Sequence, residues 1–320
     1  MLTLTYTAPH ELEWREAREP SLSSDRAALV RPIAVATCDL DALIIGGHSP
    51  FAPPFPIGHE CVAEVTDLGD AVTSLAPGQL VSVPFQISCG ECPECRRGRS
   101  GNCTGVAFMS TYGFGPAVGE WGGFLSDRVC VPYAEHMLVP LSEGLSPAAL
   151  ASASDKVVGG ASSGSIGLYA VALARALGAQ SVVYVDGDEG RRRTAQGLGA
   201  DALAEPPKRL GPFPVTVDSS ADPDGLRLAL RSTAPEGTCT STAIYFGEQP
   251  SLPLLEMYTK GITFKTGRVH AREAIPHVLE LAAARAIEPE LITTRVIQWS
   301  DAAEALSECD WTKLVIERSA

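Results

Sequence analysis

The chain has 320 residues, 45% of them hydrophobic and 20% charged, which is ordinary globular material for about two cores. Its net charge of -13 and pI near 4.9 argue against a nucleic-acid partner, which needs basic clusters, and give no attraction to an anionic membrane surface. No run approaches the ~18–20 apolar residues that span a bilayer. The start, Met1-Leu2-Thr3-Leu4-Thr5-Tyr6, has no basic region ahead of an apolar one, so a cytoplasmic protein with reduced thiols is expected. Clustered cysteines in that compartment point to metal ligation before disulfides.

In chain order, the first half reads as short strands with Gly/Pro punctuation: Cys61–Val65, Leu80–Phe85 and Asp127–Val131 are examples. Such spacing predicts a β-barrel-like domain. Within it, Cys38 and the run Gly58-His59-Glu60 offer a thiol, an imidazole and a carboxylate from separate strands. Three protein donors with a fourth position open describe a catalytic zinc, although a core thiol and a loop histidine are the plainer reading of Cys38 and His59 taken alone. Further on, Cys89, Cys92, Cys95 and Cys103 form a tight knuckle. Two-residue gaps let thiolates converge from one turn, and the fourth cysteine closes a tetrahedron, the pattern of a structural zinc that fixes a loop.

The texture changes near residue 156. Strand-like Lys156–Gly160, Ser181–Asp186, Val215–Ser219, Thr238–Phe246 and Ile262–Gly267 alternate with helix-like Ile166–Leu177, Arg191–Leu198, Pro223–Arg231 and Arg272–Ala286. This alternation predicts a doubly wound parallel sheet, a Rossmann domain over 156–287, with the β-rich domain taking 1–155 and 288–320. After the first strand, Gly164-Ser165-Ile166-Gly167 opens a helix, with Ser162 in the place of the usual first glycine. Such a turn brings backbone close to a pyrophosphate at a helix N-terminus. Asp186 closes Val182-Val183-Tyr184-Val185 about 20 residues later, where a carboxylate accepts the ribose hydroxyls and repels a 2′-phosphate. NAD is therefore favoured over NADP, with Arg192 and Arg193 as the features that keep NADP as the alternative.

Cys38…Asp41, Gly58-His59-Glu60, the four-cysteine lobe, Gly78-Gln79-Leu80-Val81, Gly122-Gly123-Phe124, the glycine turn and Asp186 occur in the order found in zinc-dependent medium-chain alcohol dehydrogenases, and the chain resembles that family over nearly its whole length. The resemblance implies an α/β protein: a GroES-like β-rich catalytic domain with one structural and one catalytic zinc, plus the doubly wound Rossmann domain with a nicotinamide cofactor. By this likeness Cys38 and His59 are catalytic-zinc ligands, Glu60 a ligand or neighbouring carboxylate, and Asp155 of Ser154-Asp155 the third ligand. Phe85 matches a substrate-pocket position, and Arg191 matches a basic position at the adenosine ribose. The family's dimers and tetramers imply a homodimer or homotetramer acting on a small alcohol or carbonyl compound.

Two departures stand out. The family places Ser or Thr two residues after the zinc cysteine and a histidine three further on, as a proton relay; here these are Leu40 and Leu43, which carry no proton. Asp39 and His48 are substitutes by sequence proximity, and the leucines imply an apolar pocket mouth. The second departure is that Asp155 runs at once into Lys156-Val157-Val158, where the family inserts roughly 20 residues. A five-residue strand covers ~16 Å, so Asp155 is expected at the end of the strand remote from the cofactor. Either the strand is shortened and Asp155 reaches the metal, or Glu60 or water completes the site. The competing expectation is a catalytically impaired, zinc-stapled NAD(H)-binding protein. A lyase or reductase variant on the same fold is a third.

Overall fold

The N-terminal half is built from strands joined by short helices. The computed structural model describes residues 1–154, 164–246 and 249–318. In chain order come β1 (Leu2–Ala8), β2 (Glu11–Glu16), β3 (Ala28–Ala36), β4 (Phe55–Pro56), β5 (Glu60–Leu68), β6 (Leu80–Val83), β7 (Val129–Val131) and β8 (Val139–Pro140). Among them lie α1 (Asp39–Ile45), α2 (Pro93–Arg96), α3 (Ala134–Met137) and α4 (Pro147–Leu150). The middle of the chain gives α5 (Ser165–Ala176), β9 (Val183–Val185), α6 (Glu189–Gly197), β10 (Asp201–Leu203), β11 (Phe213–Asp218), α7 (Pro223–Ser232), β12 (Thr233–Ser241), α8 (Leu254–Lys260) and β13 (Thr263–Thr266). The tail adds α9 (Ala271–Ala283), β14 (Arg295–Gln298), α10 (Ala302–Glu308) and β15 (Leu314–Glu317).

Two compact units divide these elements: Met1–Val158 with Val269–Ala320, and Gly159–Arg268. The return falls at Val269, earlier than the expected 288. The reason is that α9 is tied into the first unit from its first turn. Ala271 N–H donates to Gln86 Oε1 at 3.4 Å, Arg272 donates to the His136 carbonyl, and Ser100 donates to Glu273.

The main sheet of the first unit runs β14-β15-β3-β5-β6-β8, with β7 also on β3. β3 reads Ala-Leu-Val-Arg-Pro-Ile-Ala-Val-Ala and buries most of both faces, as a central strand should. Its Pro32 sits where the register with β5 shifts, the place a sheet tolerates a residue without an N–H. Leu4, Val65, Val81, Phe124 and Leu314 lie in the core beneath. The register decides where chemistry falls. Ala36 pairs with Glu60 on β5 and with Val315 on β15. Cys38, His59 and Lys313 each lie within three residues of that row, so three distant segments end together.

In the second unit, β10-β9 and β11-β12-β13 are parallel. α7 starts at Asp222, whose side chain accepts the Asp224 N–H at 2.7 Å, with Pro223 pre-set for the first turn. The strand expected over Thr238–Phe246 instead occupies Thr233–Ser241. It begins directly where α7 ends, bending at Glu236 with φ of 58°. The expected strand Lys156–Gly160 lies outside the described residues. Among the described residues, no helix is long and apolar enough to cross a membrane.

Candidate metal centres and nucleotide-binding strand

Cys38 is the N-cap of α1. Its sulfur accepts the Leu40 N–H at 3.4 Å, and Asp41 returns Oδ2 to the Cys38 N–H at 2.7 Å. This reciprocal bonding fixes the thiol's direction and buries Asp41 beside it. Gly58 has φ of 99°, and a Cβ there would meet the Leu125 backbone nitrogen at 2.9 Å. Only glycine allows this close turn, and the turn delivers His59 to the same place. His59 Nδ1 lies 3.5 Å from Asp41 Oδ1, while its ring packs on Phe114 at 4.4 Å and Phe85 at 6.0 Å between centroids.

Glu60 opens β5 and is fully buried. Its carboxylate is held by the ammonium of Lys313, itself fully buried, which also donates to the Thr37 carbonyl at 2.5 Å. Thr37 in turn accepts the Leu314 N–H at 2.9 Å. Lys313 and Leu314, at the point where β15 begins, thus clamp the residue before Cys38 and the residue after His59 at once. Donor atoms of Cys38, His59 and Glu60 lie within 4.8 Å of one another. One soft sulfur, one imidazole and one carboxylate, all buried and converging, fit a zinc ion with a position left for another ligand.

Cys89, Cys92, Cys95 and Cys103 also gather within 4.8 Å. Neighbouring N–H groups point at the sulfurs: Cys89 and Gly105 donate to Cys103 at 3.3 Å each, and Thr104 donates to Cys92 at 3.4 Å. Burial pushes the Cys92 thiol up, but the N–H donors of Cys95 and Thr104 outweigh it and draw it down to about 5. Burial raises Cys95 and Cys103. Four convergent thiols, one already prone to ionise, fit a cation that replaces the protons. All nine cysteines are free thiols.

Gly164, with φ of 117°, caps α5, and Ser165 and Ile166 fill its buried first turn. Asp186 follows β9. Its carboxylate takes both arms of Arg191, Nε at 2.7 Å and Nη2 at 2.8 Å. Burial pushes Asp186 up, yet Arg191, Tyr184 and the Asp188 N–H together hold it below the ordinary carboxylate value. Asp155 and Ser162 lie outside the described residues. Ser154 is described: its hydroxyl accepts the Cys61 N–H at 2.9 Å. Leu40 and Phe85 border one apolar cluster with Tyr6, Phe55 and Phe114, and Leu43 packs against it. His48 is exposed.

Residues 24–143 match the alcohol dehydrogenase GroES-like domain, and residues 165–284 match the zinc-binding dehydrogenase domain. The chain belongs to the zinc-dependent medium-chain dehydrogenase/reductase family. Its GroES-like and Rossmann-type domains, and its class as an oxidoreductase, follow from that membership. The second domain match runs through α9, which the contacts above group with the first unit.

The chain is 33% identical over 211 residues to L-galactonate-5-dehydrogenase of Escherichia coli K12, covering 60% of this chain but only 58% of that protein. It is 26% identical over 330 residues to a probable D-xylulose reductase A of Aspergillus clavatus, covering 93% of this chain and 90% of that one. The solved alcohol dehydrogenase TADH from Thermus sp. ATN1 superposes with a TM-score of 0.89 at 26% identity over the full length of both chains. Matches on both domains favour the oxidoreductase over the impaired binder.

Asp41, Lys313, Phe114 and Tyr184 escaped the sequence reading as site residues. Asp41 stood inside the quoted motif, three residues after Cys38, the spacing of a capping box. Lys313 gave one signal: it directly precedes the apolar run Leu314-Val315-Ile316.

Proposed function

We propose that the chain is a zinc-dependent, nicotinamide-linked alcohol dehydrogenase or carbonyl reductase that moves a hydride between an alcohol carbon and the cofactor. The buried convergence of Cys38, His59 and Glu60 carries this reading. Cys38 and His59 hold the catalytic zinc, with Glu60 or Asp155 completing the protein donors. The Ser154 bond to Cys61 N–H, beside Glu60, supports Asp155 as a candidate. Zinc bound there would supply Lewis acidity to an alcohol or carbonyl oxygen. The four-cysteine lobe holds a second, structural zinc.

The remaining work falls to the chain's own groups. Asp41 sets a carboxylate oxygen 3.5 Å from His59 Nδ1, a placement that favours the other ring nitrogen, Nε2, as the one facing the metal. Lys313 neutralises Glu60 and keeps it from swinging. Leu40, Phe85 and Phe114 make the nearby wall apolar, which favours a hydrophobic or secondary alcohol over a polyol. With Leu40 and Leu43 in the relay positions, the substrate proton leaves by water or by another group.

In the second unit, Ser162, Gly164, Ser165 and Ile166 receive the pyrophosphate at the start of α5. Asp186 and Arg191 receive the adenosine ribose, and the Asp186 charge favours NAD over NADP. A homodimer or homotetramer in the cytoplasm completes the reading. The exposed Leu254, Leu255 and Tyr258 of α8 support self-association, and the free thiols support a reducing compartment.

The test is reduction of NAD across a panel of alcohols before and after chelation. Turnover falls to background when the metal is stripped and returns with added zinc. Activity that survives verified removal of the zinc contradicts the reading.

A further inference from the structure

The Asp186 carboxylate is fully used before any nucleotide arrives. Oδ1 accepts the Asp188 N–H and Arg191 Nη2, each at 2.8 Å, and Oδ2 accepts Arg191 Nε and the Tyr184 hydroxyl, each at 2.7 Å. A carboxylate offers about four lone-pair sites. A ribose diol, bringing two hydroxyl donors, therefore enters only by displacing a partner.

The three partners differ in what moving them requires. Asp188 N–H is backbone, and the same residue is the N-cap of α6, so it is fixed. Tyr184 is 8% exposed and stands two residues before Asp186, on the same face of its strand. Its ring lies against Gly167 of α5, where an added Cβ would meet Tyr184 Cε2 at 2.9 Å and Ser219 Oγ at 3.2 Å. The third glycine of the turn thus makes room for this ring, and moving Tyr184 would open the helix–strand packing. Arg191 is a long side chain, 27% exposed, able to rotate into water.

Resting on the nicotinamide-linked reading above, we propose that Tyr184 is a positioning residue for nucleotide selection: its hydroxyl holds Asp186 in place while Arg191 yields its two bonds to the ribose diol. Burial, with the adjacent Asp186 charge, keeps the phenol protonated and therefore a donor. The diol of NADH needs a carboxylate already aimed. A 2′-phosphate brings an anion where the diol brings a donor, so it gains nothing from that aim and meets the released Arg191 instead. The Tyr184 hydroxyl accordingly serves NADH and not NADPH.

The experiment titrates NADH and NADPH into the full-length, zinc-loaded protein and into its Tyr184→Phe variant, following cofactor fluorescence. Phenylalanine keeps the ring against Gly167, so the fold is retained. The NADH dissociation constant rises about tenfold, the scale of one hydrogen bond to a charged group, while that for NADPH moves less than about twofold. Equal weakening of both nucleotides, which a merely structural role would give, overturns the proposal, as does no change in either. A wild-type protein that binds neither nucleotide overturns the nicotinamide-linked reading and this proposal together. A wild type that binds NADH while the variant keeps its NADH:NADPH ratio removes the role of Tyr184 alone.

Discussion

The two groups of metal donors gather over the same 4.8 Å but are held by opposite means. The four cysteines come from one short stretch, Cys89 to Cys103, and the sulfurs are steadied mainly by N–H groups of their own loop. Nothing but the cation would keep four thiolates together there. Cys38, His59 and Glu60 are instead delivered by the register of β3, β5 and β15. Asp41 and Lys313 wire them from the side, Lys313 from 253 residues away. On the proposed reading, the first group would depend on a bound cation for its shape, whereas the second is shaped by the sheet itself. A site that must admit and release ligands is better built in the second way, because its geometry survives each exchange.

This contrast can be broken most forcefully at the lobe. Cys95→Ser should remove one zinc per chain and lower stability by roughly 5 kcal/mol or more, since structural zinc binding is itself folding free energy. Urea unfolding together with metal analysis checks it. A full zinc complement in that variant would deny the lobe its metal. Next in size is Lys313→Met, which strands a buried carboxylate at Glu60 and should cost about 3–5 kcal/mol. Adding Glu60→Gln should recover most of that loss in the same unfolding assay, because the unpaired charge is then gone.

A smaller effect sharpens the comparison within the metal sites. Asp41→Asn keeps an oxygen for the Cys38 N–H but removes the charge facing His59. It should weaken zinc at the mixed site about 10–100-fold in a competition titration and leave the lobe zinc untouched. The smallest effect concerns pH. The folded Asp186 carboxyl titrates below its ordinary value of 3.8. Its contribution to stability is therefore present above that value and is lost as pH falls through the depressed one. Acid unfolding of Asp186→Asn should show a flatter slope below about pH 4 than wild type, and identical slopes would remove the ion pair with Arg191 from the account.

What the sequence made legible follows the same division. The cysteine knuckle is local spacing, so it could be read without a fold. The alternation of strand and helix after residue 156 was equally plain, and α5, α6, α7 and α9 fall where periodicity put them, within a few residues. Cys38, His59 and Glu60 could be grouped as donors by residue type, but family likeness had to add weight to that grouping, because nothing in their spacing encodes the pairing of Ala36 with Glu60. Lys313 gave only a weak signal for a related reason: a lysine before a strand-like run reads as solvated until the fold places a buried carboxylate opposite it. Tyr184 read as strand filling, since an i, i+2 contact needs the strand's face to be known. The β12 boundary was misplaced because Pro235 and Gly237 look like a loop, yet the strand passes through them with a bend at Glu236.

The central claim is that Cys38, His59 and Glu60 form a second, catalytic metal site distinct from the cysteine lobe. Zinc per chain, measured on wild type and on Cys38→Ser, tests it most directly. The account predicts two zinc ions in wild type, one in the variant, and loss of NADH formation with the fold intact. A single zinc in both proteins, with unchanged turnover, would contradict it.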